Sequence, residues 1–165
     1  MHVLVAYSSK MGGTEGIAKK VADTLTGEHF TVTLRSAGEV PNPEEFDAVI
    51  LGSAIYGARW RRESVRLLRR LRRAGFDRPV WLFHSGPIAD DIAQDPQPFP
   101  AKVEKLAVDL SVKDRKTFGG RLPDDAKGAI ARSMVKQGRS GDWRDLDQVG
   151  VWAKEVGRVL AASQT

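Results

Sequence analysis

The chain contains no cysteine. That excludes disulfides, thiolate-ligated clusters, structural zinc of the cysteine type and a cysteine nucleophile. Histidine is almost as scarce: His2, His29 and His84 are scattered, without metal-ligand spacing, so no metal site is expected. Any redox chemistry therefore has to be carried by a bound organic cofactor. No run of 18 apolar residues is present, which excludes a membrane-spanning helix. The chain enters a strand-like run at His2-Val3-Leu4-Val5-Ala6, leaving no room for a signal peptide, and a cytoplasmic location is expected. Acidic charge is outweighed too. The net charge is +5, from 26 Lys and Arg against 21 Asp and Glu, so anionic partners are favoured over cationic ones.

What is present suits one domain, residues 1–165, with 41% hydrophobic and 28% charged residues. Val3–Ser8 is a short apolar run that predicts a strand. Ile17, Val21 and Leu25 mark Thr14–Thr26 as an amphipathic helix. Phe30–Arg35 alternates as a half-exposed edge strand does, and Asp47–Gly52 is a continuous apolar run suited to a strand covered on both faces. An arginine-rich helix over Arg61–Arg73 and a strand over Pro79–His84 follow. A helix carrying Val103, Leu106 and Leu110 on one face leads to a short strand over Asp114–Gly120. Leu146, Val149, Ala153, Val156 and Leu160 form the stripe of a last helix, with Asp142 or Asp145 as its cap.

Five strands alternating with helices predict an α/β fold, a doubly wound parallel sheet between two helical layers. Ligands of such sheets bind beyond the carboxyl ends of the strands. Four loops fall there. The first, Tyr7-Ser8-Ser9-Lys10-Met11-Gly12-Gly13-Thr14-Glu15, is rich in hydroxyls and glycine and ends at a helix N-terminus, a setting for an anion. Read without a ligand, it is a glycine turn with Thr14 as N-cap. It has neither the Gly-Lys-Ser/Thr of a nucleoside-triphosphate loop nor the Gly-x-Gly-x-x-Gly of dinucleotide folds, and it suits a terminal phosphate monoester such as that of FMN. The second loop runs Gly52-Ser53-Ala54-Ile55-Tyr56-Gly57-Ala58-Arg59-Trp60. The third is His84-Ser85-Gly86-Pro87-Ile88, and Phe118-Gly119-Gly120-Arg121 faces the same rim.

The first loop resembles the flavodoxin phosphate signature. Ser9, Gly12 and Thr14 match by position, Met11 stands where threonine is usual and Gly13 where asparagine is frequent. The resemblance implies a flavodoxin-like five-stranded sheet in the order 2-1-3-4-5. It also implies FMN, or alternatively a deazaflavin, as cofactor. Ser8, Ser9, Lys10, Met11, Gly12, Gly13 and Thr14 would hold the phosphate. Ser53, Ala54, Ile55, Tyr56 and Gly57 would let the ring approach the backbone, with Tyr56 or Trp60 stacking on it. Ser85, Gly86 and Pro87 would meet its far edge.

The Gly52–Gly57 loop, the long Arg121–Gly141 link and Asp142-Trp143 resemble the bacterial menaquinone-dependent protoporphyrinogen oxidase branch. That branch implies a reduced anionic substrate and a quinone or other redox partner, at most peripheral membrane contact, and no nucleic acid. Arg59, Trp60, Arg61 and Arg121 are then the substrate-binding candidates, and no side chain presents itself as a catalytic base. A one-electron carrier and a cofactor-free binding domain are the other readings of the same fold.

Overall fold

The structure is a computed structural model and describes residues 1–86 and 97–165. β1 (His2–Ser8), β2 (Thr31–Ser36) and β3 (Ala48–Tyr56) are followed by a two-residue strand, β4 (Arg59–Trp60), and then by β5 (Val80–Ser85) and β6 (Val112–Phe118). The helices between them are α1 (Gly13–Gly27), α2 (Arg62–Arg73) and α3 (Ala101–Ala107). Beyond β6 come β7 (Arg121–Leu122), α4 (Ala129–Lys136), β8 (Gly141–Asp142) and α5 (Leu146–Ala162).

The parallel sheet runs β2-β1-β3-β5-β6, with β4 antiparallel to the end of β3. With the short β4 set aside, this is the expected order 2-1-3-4-5. Strand alternation splits the core in two, because successive side chains point to opposite faces. Leu4, Ala6, Val49, Leu51, Val80 and Leu82 face α2 and α3, where Val65, Leu68, Leu71 and Val103 cover them. Val3, Val5, Ile50, Trp81 and Phe83 face α1 and α5, against Ile17, Val21, Leu25, Val149, Trp152 and Val156. Phe83, Phe118 and Trp152 meet edge to face on that side, with ring centroids 5.6–6.0 Å apart.

Two expectations need correction, and one choice left open is settled. The third strand does not stop at Gly52 but continues to Tyr56, so most of the expected second loop is strand. The strand expected over Asp114–Gly120 begins two residues earlier and stops at Phe118. Asp145, not Asp142, caps α5, its carboxylate accepting the Gln148 N–H at 3.1 Å. The long link after β6 is ordered: β7 and β8 pair antiparallel and α4 lies between them.

Candidate functional site

The first loop leaves β1 at Ser8 and enters α1 through Gly12, which is left-handed at φ 81° and serves as N-cap without a side-chain bond. Only glycine takes that conformation at little cost. The first backbone bond of the turn runs from the Gly16 N–H to the Gly12 carbonyl at 3.1 Å, so the N–H groups of Gly13, Thr14 and Glu15 find no acceptor within the helix. They sit at the positive end of the helix dipole. Ser9 Oγ accepts the Gly12 N–H at 2.9 Å and keeps its own proton to donate.

The other two hydroxyls turn inward. Thr14 is 1% exposed and its Oγ1 lies 2.7 Å from Ser85 Oγ, so it ties the loop to β5 and is not the N-cap. Ser8 is buried, and the Ser64 hydroxyl bridges it, at 2.7 Å, to the Gly52 carbonyl at 2.8 Å. Ser64 was not legible as a site-forming residue. It lies on the face of an arginine-rich helix, and only the fold brings it to Ser8.

The second loop is a hairpin. Tyr56 pairs with Arg59 and Ile55 with Trp60. Its two turn residues, Gly57 at φ 53° and Ala58 at φ 58°, are both left-handed, the combination that matches a tight hairpin to the twist of its strands. Ser53 is buried, accepts the Arg61 N–H at 2.9 Å and donates to the Ala54 carbonyl at 2.7 Å. Tyr56 is 43% exposed at the hairpin tip. Burial of the rest of the ring raises its phenol pKa, and the charge of Arg61 opposes that rise. Arg59 is exposed beside it.

Trp60 is neither a stacking face nor a substrate contact. It is buried in the core under α2 and donates its indole N–H to His84 Nδ1 at 3.2 Å. Gly52 also has a packing role, since the Phe83 ring occupies the place of a side chain there.

In the third loop Ser85 is engaged with Thr14, and Gly86 leaves room for the Ile55 side chain. Pro87 lies outside the described residues. His84 is fully buried. Phe99 stacks on it at 4.0 Å between centroids, and Nε2 lies 2.9 Å from Thr117 Oγ1. Burial pushes its pKa down to about 4, partly offset by a hydrogen bond that the ring donates to the Gln97 backbone. It is a satisfied core residue.

Residues 121–144 cover the first loop, which the sequence did not disclose. Met11 packs with Met134, Val135 and Trp143 against a small core of Leu122, Ala126 and Ala131. Arg144 forms a two-point ion pair with Asp142, Nε to Oδ1 at 2.9 Å and Nη2 to Oδ2 at 2.8 Å, which holds the Asp142 carboxyl below its usual pKa. Its remaining Nη1 donates to the Gly13 carbonyl at 3.3 Å. Arg121 therefore sits over the first loop rather than at the hairpin.

On α2, Arg62, Arg66, Arg69 and Arg73 follow helical spacing along one stripe and make no ion pair among the described residues. Arg72 is paired with Asp109, and Arg70 donates to the carbonyls of Val40 and Pro41.

A family model described as a flavodoxin domain matches residues 4–147. The chain belongs to the flavodoxin family. Solved flavodoxins share its fold. A short-chain flavodoxin associated with a non-canonical PDU bacterial microcompartment is 14% identical, with a TM-score of 0.65 over 98% of this chain and 99% of that one. Oxidised flavodoxin 2 from Bacillus cereus is 20% identical, with a TM-score of 0.56 over 84% of this chain and 95% of that one. A flavoprotein in complex with FMN from Lactobacillus acidophilus is 13% identical, with a TM-score of 0.53 over 71% of this chain and 93% of that one.

Membership of the family makes FMN the cofactor. The residues present fit it: three free helical N–H groups, the Ser9 hydroxyl and two glycines form a cradle for a phosphate, and a half-exposed tyrosine stands at the adjacent hairpin. No helix among the described residues is long and apolar enough to cross a membrane.

Proposed function

We propose that this flavodoxin is an FMN-dependent oxidoreductase that oxidises a reduced anionic small molecule and passes the electrons to a quinone. The observation that carries this reading is the β3–β4 hairpin, where Tyr56 presents a half-exposed ring flanked by the cationic Arg59 and Arg61. Protoporphyrinogen, whose propionates are carboxylates, is the candidate substrate suggested by the sequence resemblance.

When bound, FMN would supply the redox chemistry as a hydride acceptor and donor, so that the chain's own residues need only bind and orient. The protein holds the phosphate at α1, supports one face of the ring with Tyr56 and attracts carboxylates with Arg59 and Arg61. No proton relay is built from the buried histidine, because both of its nitrogens are engaged in the core.

A second reading has its own observation. The stripe of Arg62, Arg66, Arg69 and Arg73 suits an acidic redox protein and hence a carrier role. Anaerobic stepwise reduction of the FMN-loaded protein, followed by assays with protoporphyrinogen and menaquinone, separates the two. Two-electron reduction with turnover supports the oxidase. One-electron steps without turnover support the carrier.

A further inference from the structure

Arg121 and Lys10 come from opposite ends of the chain and approach the same loop. A Cβ on Gly13 would lie 3.3 Å from Arg121 Cβ and 3.5 Å from its backbone nitrogen, and one on Gly12 would lie 4.0 Å from Arg121 Nη1. Lys10 lies within the loop, and its Nζ is 3.2 Å from the Cβ position of Gly128 in the covering segment. Neither side chain forms a close ion pair or a hydrogen bond among the described residues, although the charge of Arg121 also acts on the carboxylate of Asp142, its neighbour across the β7–β8 pair. Arg144, the third cation here, is neutralised by Asp142 and spends its remaining nitrogen on the Gly13 carbonyl.

Arg121 is thus held beside the positive end of α1, its charge only partly offset by Asp142, and Lys10 reaches from the same loop to the covering segment, an arrangement that favours an anion joining it. The segment that brings Arg121 is fixed by structure on both sides. Met11 is packed into its apolar cluster, and Arg144 ties its far end to the first turn of α1. Little ordering therefore remains to be done when a ligand arrives, which favours affinity.

We propose that residues 121–144 form a clamp over the cofactor phosphate, with Arg121 and Lys10 as its charged contacts, so that this chain selects FMN over riboflavin chiefly by charge. The proposal rests on the FMN reading and reassigns Arg121 from the substrate to the cofactor. Charge-assisted bonds to phosphate are stronger than those from neutral donors, and Arg presents a fork that matches phosphate oxygens.

The test is titration of the cofactor-free chain with FMN and with riboflavin, at low and high salt, using wild type, Arg121→Gln, Lys10→Gln and Arg121→Lys. The expected result is a rise of about tenfold in the FMN Kd for each Gln variant with the riboflavin Kd unchanged. Arg121→Lys recovers part of the loss, high salt narrows the preference of wild type for FMN, and inorganic phosphate competes with FMN but not with riboflavin. A parallel loss for both flavins, or no loss, overturns the clamp while leaving FMN as cofactor. Wild type that takes up neither flavin overturns the FMN reading as well. Thermal melting of each variant separates a binding loss from a folding loss.

Discussion

The Trp60 indole donates to His84 Nδ1 at 3.2 Å, and that bond fixes the protonation of a fully buried imidazole. An indole N–H only donates, so Nδ1 is unprotonated and the neutral ring carries its proton on Nε2, facing Thr117 Oγ1 at 2.9 Å. The folded pKa of about 4 lies below the ordinary 6.5, so the unfolded chain binds a proton that the folded one does not between those values. The His84 contribution is intact above pH 6.5, declines as pH falls and is lost once pH passes about 4. Its size is about 3 kcal/mol. Chemical denaturation across this range should show the slope in wild type and lose it in His84→Asn. In Trp60→Phe, which no longer holds Nδ1 unprotonated, the NMR-titrated pKa of His84 should rise.

Gly52 sets a second, purely steric prediction. The Phe83 ring fills the space where a Cβ would stand, and the ring is itself locked against Phe118 and Trp152. Gly52→Ala should cost at least about 2 kcal/mol, because a packed core accommodates an added methyl only by moving several side chains. The double variant Gly52→Ala with Phe83→Leu should regain part of that loss in urea denaturation. If the single variant melts like wild type, the β3–β5 packing described above is wrong.

The main elements could be read from the sequence because they rest on local periodicity. Val3 to Ala6 and Val80 to Phe83 are covered on both faces, and the α5 stripe repeats at helical spacing. The end of β3 could not, since Gly52-Ser53-Ala54 looks like loop composition and owes its extension to pairing with β5 and β4. Gly57-Ala58 was equally opaque, for alanine seldom adopts the positive φ that the hairpin imposes on it. At the site, the glycines and Ser9 were legible as an anion cradle. The inward bonds of Ser8 and Thr14, and the closeness of Arg121 and Arg144 to Gly13, join residues more than fifty positions apart and leave no local signal.

Met11 stands where the phosphate signature usually has threonine, and its packing supplies a reason. It covers Leu122, Ala126 and Ala131 together with Met134, Val135 and Trp143. Met11→Thr restores the usual residue type but removes an apolar side chain from this small cluster, at a cost of about 1–2 kcal/mol. The loss should be local. Amide exchange should quicken across α4 and β8 while β1, β3 and β5 keep their protection, and proteases should cut more readily between residues 123 and 139. Uniform protection across the chain would show that Met11 does not anchor this segment.

Asp145 and Asp142 give a paired test of the same region. Asp145→Ala removes the α5 cap and should lower stability by about 1 kcal/mol. Asp142→Asn leaves the cap in place but releases Arg144 from its two-point partner. The Asp142 carboxyl is held below its ordinary pKa by hydrogen bonds from Arg144, so its stabilisation is present above the unfolded pKa and lost as pH falls through the folded value. Acid should therefore loosen the 121–144 segment in wild type, and the pH dependence of its amide exchange should flatten in Asp142→Asn. Equal acid sensitivity in both proteins would mean that the ion pair does not hold the segment down.

Tyr56 carries the last prediction. At 43% exposure it is the one large aromatic among the described residues of the hairpin with a face open to a ligand, since Trp60 is committed to the core. A tyrosine stacked on a flavin contributes about 1 kcal/mol beyond simple area burial. Tyr56→Leu should therefore weaken FMN and riboflavin alike by several-fold, and bound flavin should fluoresce more strongly once the quenching ring is gone. Arg121→Gln discriminates the two flavins by their phosphate, whereas Tyr56→Leu treats them equally because both carry the same ring. The two variants together thus separate the ring subsite from the phosphate subsite. If Tyr56→Leu left the emission and both affinities unchanged, the ring would have to be bound away from the hairpin.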